Sequence, residues 1–338
     1  MNTLRKSEDL LNNKSKFVYI SDDNYILPTI ISITSLFANK RKSSYYEVYV
    51  IINNISQENM QLLENLKKEF VDINIINGES YVRSYENIKQ QRHVTTSALI
   101  KFFLPQILKN EDKILFIDGD TIIQQDLTEL FHTDVTDVFA GVVKDTFTIT
   151  SMDYIQKNNI NCKNYFNSGV MLLNLAKLRI ENISKKLIED KQKFQTMFMD
   201  QDTFNKIFNE NVLFLSYRYN FLNYYLDIST SKELSKFFNE CLPSKERDLY
   251  ESCYILHFGG VNKPWKQEMG ILSNIYKRYY NVSILKNKKL KLKKVFLFRK
   301  IIEKLFSIKN QTGENIKYKV ITVLGIKVKI KKRDKNGK

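Results

Sequence analysis

This chain has few cysteines, prolines, glycines and histidines, and each shortage narrows what it can be. The three cysteines, Cys162, Cys241 and Cys253, are odd in number and far apart. They fit neither a disulfide framework nor a zinc-ligand spacing, so a disulfide-stapled scaffold is excluded and a reducing compartment is expected. Ten glycines and four prolines in 338 residues leave little material for linkers. No stretch approaches the ~20 consecutive apolar residues that span a bilayer. The longest candidate, Ile26 to Phe37, is interrupted by Pro28, Thr29, Ser32, Thr34 and Ser35, and reads as a buried helix. Residues 1–16 are polar and lack the apolar core of a signal peptide. The expected location is therefore the cytoplasm.

Excess charge is missing from most of the chain too. The formal net charge is +16, but residues 277–338 hold 21 Lys or Arg against Glu303, Glu314 and Asp334. The other 276 residues hold 32 basic and 34 acidic groups. A near-neutral body thus carries a strongly basic tail. No internal repeat is visible.

What is present is an alternation of short apolar runs with helical patterns. Lys16–Ser21, Glu47–Ile52, Val71–Ile76 and the run ending at Ile117 read as strands. Between them the patterns predict helices from about Pro28, over Ser56–Phe70 and over about Thr95–Leu108. Ser56 suits the N-cap of the second, with Asn59 three residues on. This β-α-β-α-β-α-β order predicts a mostly parallel sheet covered on both faces. Further on, Val138–Val143, Ser168–Leu173 and Tyr254–Phe258 read as strands, and Lys177–Lys191 and Asp200–Phe208 as helices. The body is expected to span residues 16–269, after a polar extension over 1–15 and before a basic region over 270–338.

The strand ending at Ile117 runs into Asp118-Gly119-Asp120. In open α/β sheets ligands bind beyond the carboxyl ends of strands. Paired carboxylates there can hold a divalent cation, whose usual companion is a phosphate. Gly119 would let the chain pass close to a bound group. The competing account is a loop with two solvated aspartates. A second segment is His257-Phe-Gly-Gly-Val-Asn-Lys263-Pro-Trp265. Its imidazole could ligate a Mn²⁺-like ion, Gly259 and Gly260 permit close backbone approach, and Lys263 could reach a phosphate. Alone, such a histidine is more often a loop residue. Tyr165–Asn174 reads as a polar turn entering a buried strand. Asp200-Gln201-Asp202 suits a helix start, either as a dipole-complementing cap or as polar groups facing a sugar.

Six motifs in this order closely resemble family 8 of the retaining glycosyltransferases: SDDNY at 21–25, KFFLP at 101–105, LFIDGD at 115–120, YFNSGV at 165–170, DQD at 200–202 and HFGGVNKPW at 257–265. The resemblance covers about residues 16–266 and is greatest to bacterial lipooligosaccharide or lipopolysaccharide α-galactosyl- and α-glucosyltransferases. It implies a single Rossmann-like nucleotide-sugar domain of GT-A type. It also implies a UDP-galactose or UDP-glucose donor, a saccharide acceptor and Mn²⁺, with Mg²⁺ as the alternative. By position, Asp118, Asp120 and His257 match the metal ligands, and Lys263 matches the lysine on the diphosphate. Asp22 and Asn24, with the backbone near Ile20, match the uridine end. Asp145 and Asn167 match polar residues around the donor sugar, Gln201 the position near the anomeric carbon, and Asp202 lies beside it. His93 and Gly260 match positions near the acceptor. Lys101 stands where the family has arginine, which keeps the charge and loses the planar fork.

Two other function classes compete with this one. Phosphatases built on Asp-x-Asp carry it near the domain start and follow it with Gly-Thr, unlike Asp120-Thr121-Ile122 here. A non-catalytic nucleic-acid- or membrane-binding module would explain the tail and leave six motifs unexplained. The tail interleaves Val295, Phe296, Leu297, Phe298, Ile301, Ile302, Leu305 and Phe306 with basic residues. It is read as a membrane-associating amphipathic segment, since each Lys or Arg near anionic lipid contributes roughly 1 kcal/mol. No nucleic-acid-binding fold signature accompanies the charge. The expected enzyme is peripheral on the inner face of the cell membrane, acting on a lipid-linked glycan.

Overall fold

The computed structural model describes residues 14–83, 96–160, 164–194, 196, 198, 200–290 and 292. It also describes the backbone of three strands between 306 and 331. In chain order the elements that matter are β1 Ser15–Ser21, α1 Ile26–Ala38, β2 Tyr46–Ile52, α2 Gln57–Glu69, β3 Ile73–Asn77, β4 Lys113–Ile117, β5 Thr121–Ile123, β6 Ala140–Lys144, β7 Phe166–Asn174, α3 Leu175–Ile180, α4 Ile183–Lys193, α5 Gln201–Phe208, β8 Val212–Phe214, β9 Phe221–Leu222, β10 Ile255–His257 and α6 Ile271–Tyr280.

Seven strands form one sheet in the order β3-β2-β1-β4-β7-β6-β8. β1, β2, β3 and β4 are mutually parallel, β6 is parallel to β8, and only β7 runs against its neighbours. The expected mostly parallel α/β sheet is what forms. Its strands read as continuous apolar runs because both faces are covered. Phe17 and Tyr19 of β1 and Leu115 and Ile117 of β4 join the core beneath α1 and α2. Val18, Ile114 and Phe116 join the opposite core, with Leu187 of α4 and Phe204 and Phe208 of α5. A second sheet, β5-β10-β9, sits beside the first.

Several boundaries differ from expectation for identifiable reasons. The Ser56 N-cap forms, its hydroxyl accepting from Asn59 N at 3.4 Å. Pro28 is the third residue of α1 rather than the first. The helix expected near Thr95–Leu108 is a tighter 3-10 segment, Thr96–Phe103, followed by one α turn, Leu104–Ile107. Pro105 has no N–H to give the Lys101 carbonyl, which interrupts the ladder where the two pieces join. The helix expected over Lys177–Lys191 is split into α3 and α4 by Asn182, whose φ of 52° is left-handed.

The packed body also extends past 269. Leu272, Ile275, Tyr276 and Tyr279 of α6 and the later Leu285 belong to the core beneath α1, and Asn39 Nδ2 donates to Tyr279 Oη at 2.9 Å. Most of Leu285–Phe306 lies outside the described residues. Within the basic region the backbone forms an antiparallel meander of β11 Phe306–Gly313, β12 Ile316–Val323 and β13 Ile326–Lys331. Among the described residues no helix is long and apolar enough to cross a membrane.

One buried carboxylate ties the exit of β5 to the α1–β2 loop. Asp126 accepts from Arg41 N at 2.8 Å, Ser44 Oγ at 2.8 Å and Thr128 N at 2.9 Å. Burial pushes its pKa up, but these donors outweigh burial and hold it far below the usual carboxylate range. The charged form is therefore favoured by folding, so this stability is present above pH ~4 and lost as pH falls below it. Asp126→Asn is expected to lower unfolding free energy by about 1–3 kcal/mol near neutral pH. In urea titrations the deficit should shrink as the pH is taken below about 4.

Candidate active site

The site lies where the chain passes from the large sheet to the small one. Asp118 continues the β4–β7 ladder, its N–H donating to Gly169 O at 2.7 Å. After Gly119 the chain turns into β5, which pairs antiparallel with β10, Thr121 opposite His257. Phe258 N donates to Asp120 O at 2.8 Å. This hand-over brings Asp118, Asp120 and His257 together, with one potential ligand atom from each lying within 4.8 Å of the others. His257 Nε2 is 3.2 Å from Asp120 Oδ1 and 4.0 Å from Asp118 Oδ2. Among the described residues this is the one cluster of three such side chains. Two hard oxygens and an imidazole nitrogen suit a divalent cation such as Mn²⁺.

Two glycines serve this arrangement differently. A Cβ on Gly119 would lie 2.1 Å from Thr29 Oγ1, so this glycine admits helix α1 on one side while its backbone lines the cleft on the other. A Cβ on Gly169 would lie 2.3 Å from His257 Cε1 and 2.7 Å from Asp118 Oδ2. Gly169 therefore leaves the room in which the three ligand side chains meet.

Each aspartate has a lysine. Lys101 pairs with Asp118 at 3.1 Å and with Asp200 at 2.7 Å, and Lys263 pairs with Asp120 at 2.5 Å. Burial pushes Asp120 up, yet Lys263 and then His257 hold its pKa well below the usual range. Asp118 is pushed up, chiefly by its surroundings, against Lys101 and with help from the neighbouring Asp120 charge. Its side chain keeps 31% of its surface open to the cleft, which tempers that push. Lys101 is held above its ordinary pKa because its two carboxylates outweigh its own burial. Lys263 is placed by the loop after β10, where Trp265 packs on Tyr276 of α6 with ring centroids 5.5 Å apart.

A third group of side chains comes from β7 and α5. The β6–β7 register shifts between Val142 and Val143, a bulge beside Asn167 and Ser168, which line the cleft. Asn167 Nδ2 donates to Gln201 Oε1 at 2.8 Å, and Gln201 Nε2 donates to Asp145 Oδ2 at 3.2 Å. Burial raises the Asp145 pKa against the donors around it. Asp202 does not join this group. It is 1% exposed and accepts from Tyr154 Oη at 2.7 Å, Tyr165 Oη at 2.5 Å and Phe198 N at 2.9 Å. It lines neither part of the cleft, and its three donors tie together the segments around α5.

Two adjoining cavities, of about 220 and 280 Å³, share Tyr25, Lys101, Asp118, Asp120 and Asp200 and form one cleft. The first is lined by Ile20, Asp22 and Gly119, and the second by Asp145, Asn167, Gln201, His257, Gly260 and Lys263. Asn24 is exposed and lines neither. Its N–H caps Asp22 Oδ1 at 3.0 Å. Gly260 has a φ of 74°, which only glycine adopts freely. His93 lies outside the described residues. The cleft also contains Asp200, read from the sequence only as part of a helix-start cluster, and Tyr25, Ser97, Phe147, Phe198 and Tyr224, to which sequence reasoning assigned no role of their own. Tyr25 and Asp200 stood inside quoted motifs, whereas Ser97 and Tyr224 carried no local signal.

The family description "Glycosyl transferase family 8" matches residues 16–269. Among curated proteins the chain is 27% identical over 258 residues to General stress protein A of Bacillus subtilis, covering 73% of this chain and 86% of that one. It is 23% identical over 276 residues to the lipopolysaccharide 1,2-glucosyltransferase of Escherichia coli, covering 79% and 78%. Among solved structures it resembles the galactosyltransferase LgtC in complex with donor and acceptor sugar analogs. The TM-score is 0.67 at 24% identity, over 80% of this chain and 96% of that one. The fold is thus the GT-A type.

The Gly169 geometry makes a direct prediction. In Gly169→Ala the new methyl must displace His257 or Asp118. Mn²⁺ affinity, read from free-ion electron paramagnetic resonance, should fall by about 10-fold or more, while urea unfolding shifts far less.

Proposed function

The chain belongs to glycosyl transferase family 8, and on that premise we propose that it moves galactose or glucose from a UDP-sugar to a saccharide acceptor with retention of anomeric configuration. The observation that carries the reading is the meeting of Asp118, Asp120 and His257 in the same cleft as Asn167, Gln201 and Asp145. Family membership sets aside both the phosphatase and the non-catalytic alternatives. The hexose assignment is supported by the named glucosyl- and galactosyltransferase likenesses.

In this reading Asp118, Asp120 and His257 hold Mn²⁺, with Mg²⁺ as the alternative. The bound ion supplies positive charge where the leaving diphosphate becomes more negative. Lys263 adds charge at the same place, and Lys101 lies close enough to do so from the other side. Ile20, Asp22 and Tyr25 line the end of the cleft suited to a nucleoside. Asn167 and Asp145 offer hydrogen-bonding atoms to the sugar and stabilise an oxocarbenium-like state. The Gln201 amide oxygen is barely basic and is engaged by Asn167 at 2.8 Å, which makes it a poor nucleophile. Same-face attack follows, with a diphosphate oxygen taking the acceptor's proton.

The basic tail is assigned to an anionic membrane surface on the cytoplasmic side, where a lipid-linked acceptor would be met. It is not assigned to nucleic acid.

The decisive assay is UDP release from a panel of UDP-sugars with Mn²⁺, with and without acceptor extracts. Release from UDP-galactose or UDP-glucose is expected, falling about 100-fold or more in Asp120→Asn. No release from any donor would overturn the reading. Gln201→Ala should retain measurable turnover, since complete loss with UDP-sugar binding intact would favour a covalent intermediate. Full-length protein should co-sediment with anionic vesicles and weaken as salt rises. A chain ending after Leu290 that bound equally well would remove the tail from this role.

A further inference from the structure

The metal-ligating side and the sugar-facing side of the cleft are joined by a buried chain of side-chain amides. Asn220 Oδ1 stands 2.9 Å from His257 Nδ1, and Asn220 Nδ2 donates to Asn167 Oδ1 at 2.9 Å. Asn167 continues through Gln201 to Asp145. Asn220 is 0% exposed, and His257, Asn167, Gln201 and Asp145 are each at most 9% exposed. Asn220 reaches this position because the next two residues form β9, which pairs parallel with β10 and sets Leu222 opposite His257.

The orientation of every amide in the chain follows from one backbone group. Gly169 N–H can only donate, and it donates to Asn167 Oδ1 at 2.9 Å. Asn167 therefore presents its oxygen to Asn220 and its Nδ2 to Gln201, which in turn presents its own nitrogen to Asp145. With Asn167 Oδ1 accepting, Asn220 must turn its Nδ2 toward it, leaving Oδ1 for His257. An amide oxygen can only accept, so Nδ1 of His257 must carry the proton. The Nε2 lone pair then faces Asp118 and Asp120. Without Asn220 the imidazole proton is free to sit on Nε2, drawn by Asp120 Oδ1 at 3.2 Å, and the ligand nitrogen is blocked.

We propose that Asn220 is a positioning residue that keeps His257 protonated on Nδ1 for cation binding and holds the Asn167 amide toward the donor sugar. The inference rests on reading Asp118, Asp120 and His257 as metal ligands. It couples the two halves of the site through one side chain that touches neither ion nor sugar.

The test combines ¹⁵N-histidine NMR, Mn²⁺ binding by electron paramagnetic resonance, and UDP-sugar turnover, all on the full chain. In wild type the neutral imidazole of His257 should carry its proton on Nδ1, with His257→Gln assigning the signal. Asn220→Leu should shift the proton to Nε2 and weaken Mn²⁺ binding about 10–100-fold. Asn220→Asp keeps an acceptor at Nδ1 and loses the donor to Asn167. It should rescue Mn²⁺ affinity to near wild type and leave turnover depressed, a split that loss of packing alone would not produce. An unprotonated Nδ1 in wild type, which needs no variant to fold, would overturn the proposal. So would wild-type Mn²⁺ affinity in Asn220→Leu when His257→Ala has lost it. Unchanged affinity in His257→Ala would instead overturn the metal reading itself.

Discussion

Two carboxylates, one residue apart and turned into the same cleft, repel each other and resist leaving water. Everything else in the site answers that constraint. Lys101 comes from the 3-10 segment before β4 and Lys263 from the loop after β10, so the balancing charges arrive from separate stretches of the chain. Removing one partner of such a buried pair typically costs about 3–5 kcal/mol, because the other is left uncompensated. A cation entering the site would meet carboxylates already held charged on the Asp120 side and would take over part of the neutralising role of the lysines.

The architecture that makes this possible is a hand-over between sheets. β4 delivers Asp118 within the seven-stranded sheet, and β5 leaves to pair with β10. Gly119 lets α1 close over the turn through Thr29, and Gly169 keeps the meeting point open. The irregularity between β6 and β7 sits beside Asn167 and Ser168, the two β7 residues that line the cleft. Trp265 against Tyr276 makes α6 part of the same apparatus, which is why the packed body extends beyond residue 269.

Much of this was legible in the chain itself. Strand and helix types followed from apolar runs and their period, since a sheet buried on both faces needs apolar residues in succession. The boundaries that moved were local: Asn182 in a left-handed turn, Pro105 breaking a helical ladder, and α6 recruited by packing that no nearby residue announces. In the cleft, Asp118, Asp120, His257, Lys263, Asn167 and Gln201 stand in motifs, whereas Asp145 stands in none and was placed only by its position in the resemblance. Asp202 was misjudged because its neighbour Gln201 faces the cleft, and successive residues of a helix point about 100° apart.

The sequence by itself determined the alternation of elements, the near-neutral body with its basic tail, and the residue types able to hold a cation beside a diphosphate. Those are properties of composition, period and motif, which survive without knowledge of contacts. Only the tertiary structure decided which lysine neutralises which aspartate, that Asp202 is claimed by two tyrosines, and that Asn220 stands behind His257. Such pairings join residues 17 to 143 positions apart, as in Lys101 with Asp118, Tyr165 with Asp202, and Asp120 with Lys263. Distance in sequence carries no information about them, because hydrogen bonds and ion pairs act only between atoms that the fold has already brought within about 3–4 Å.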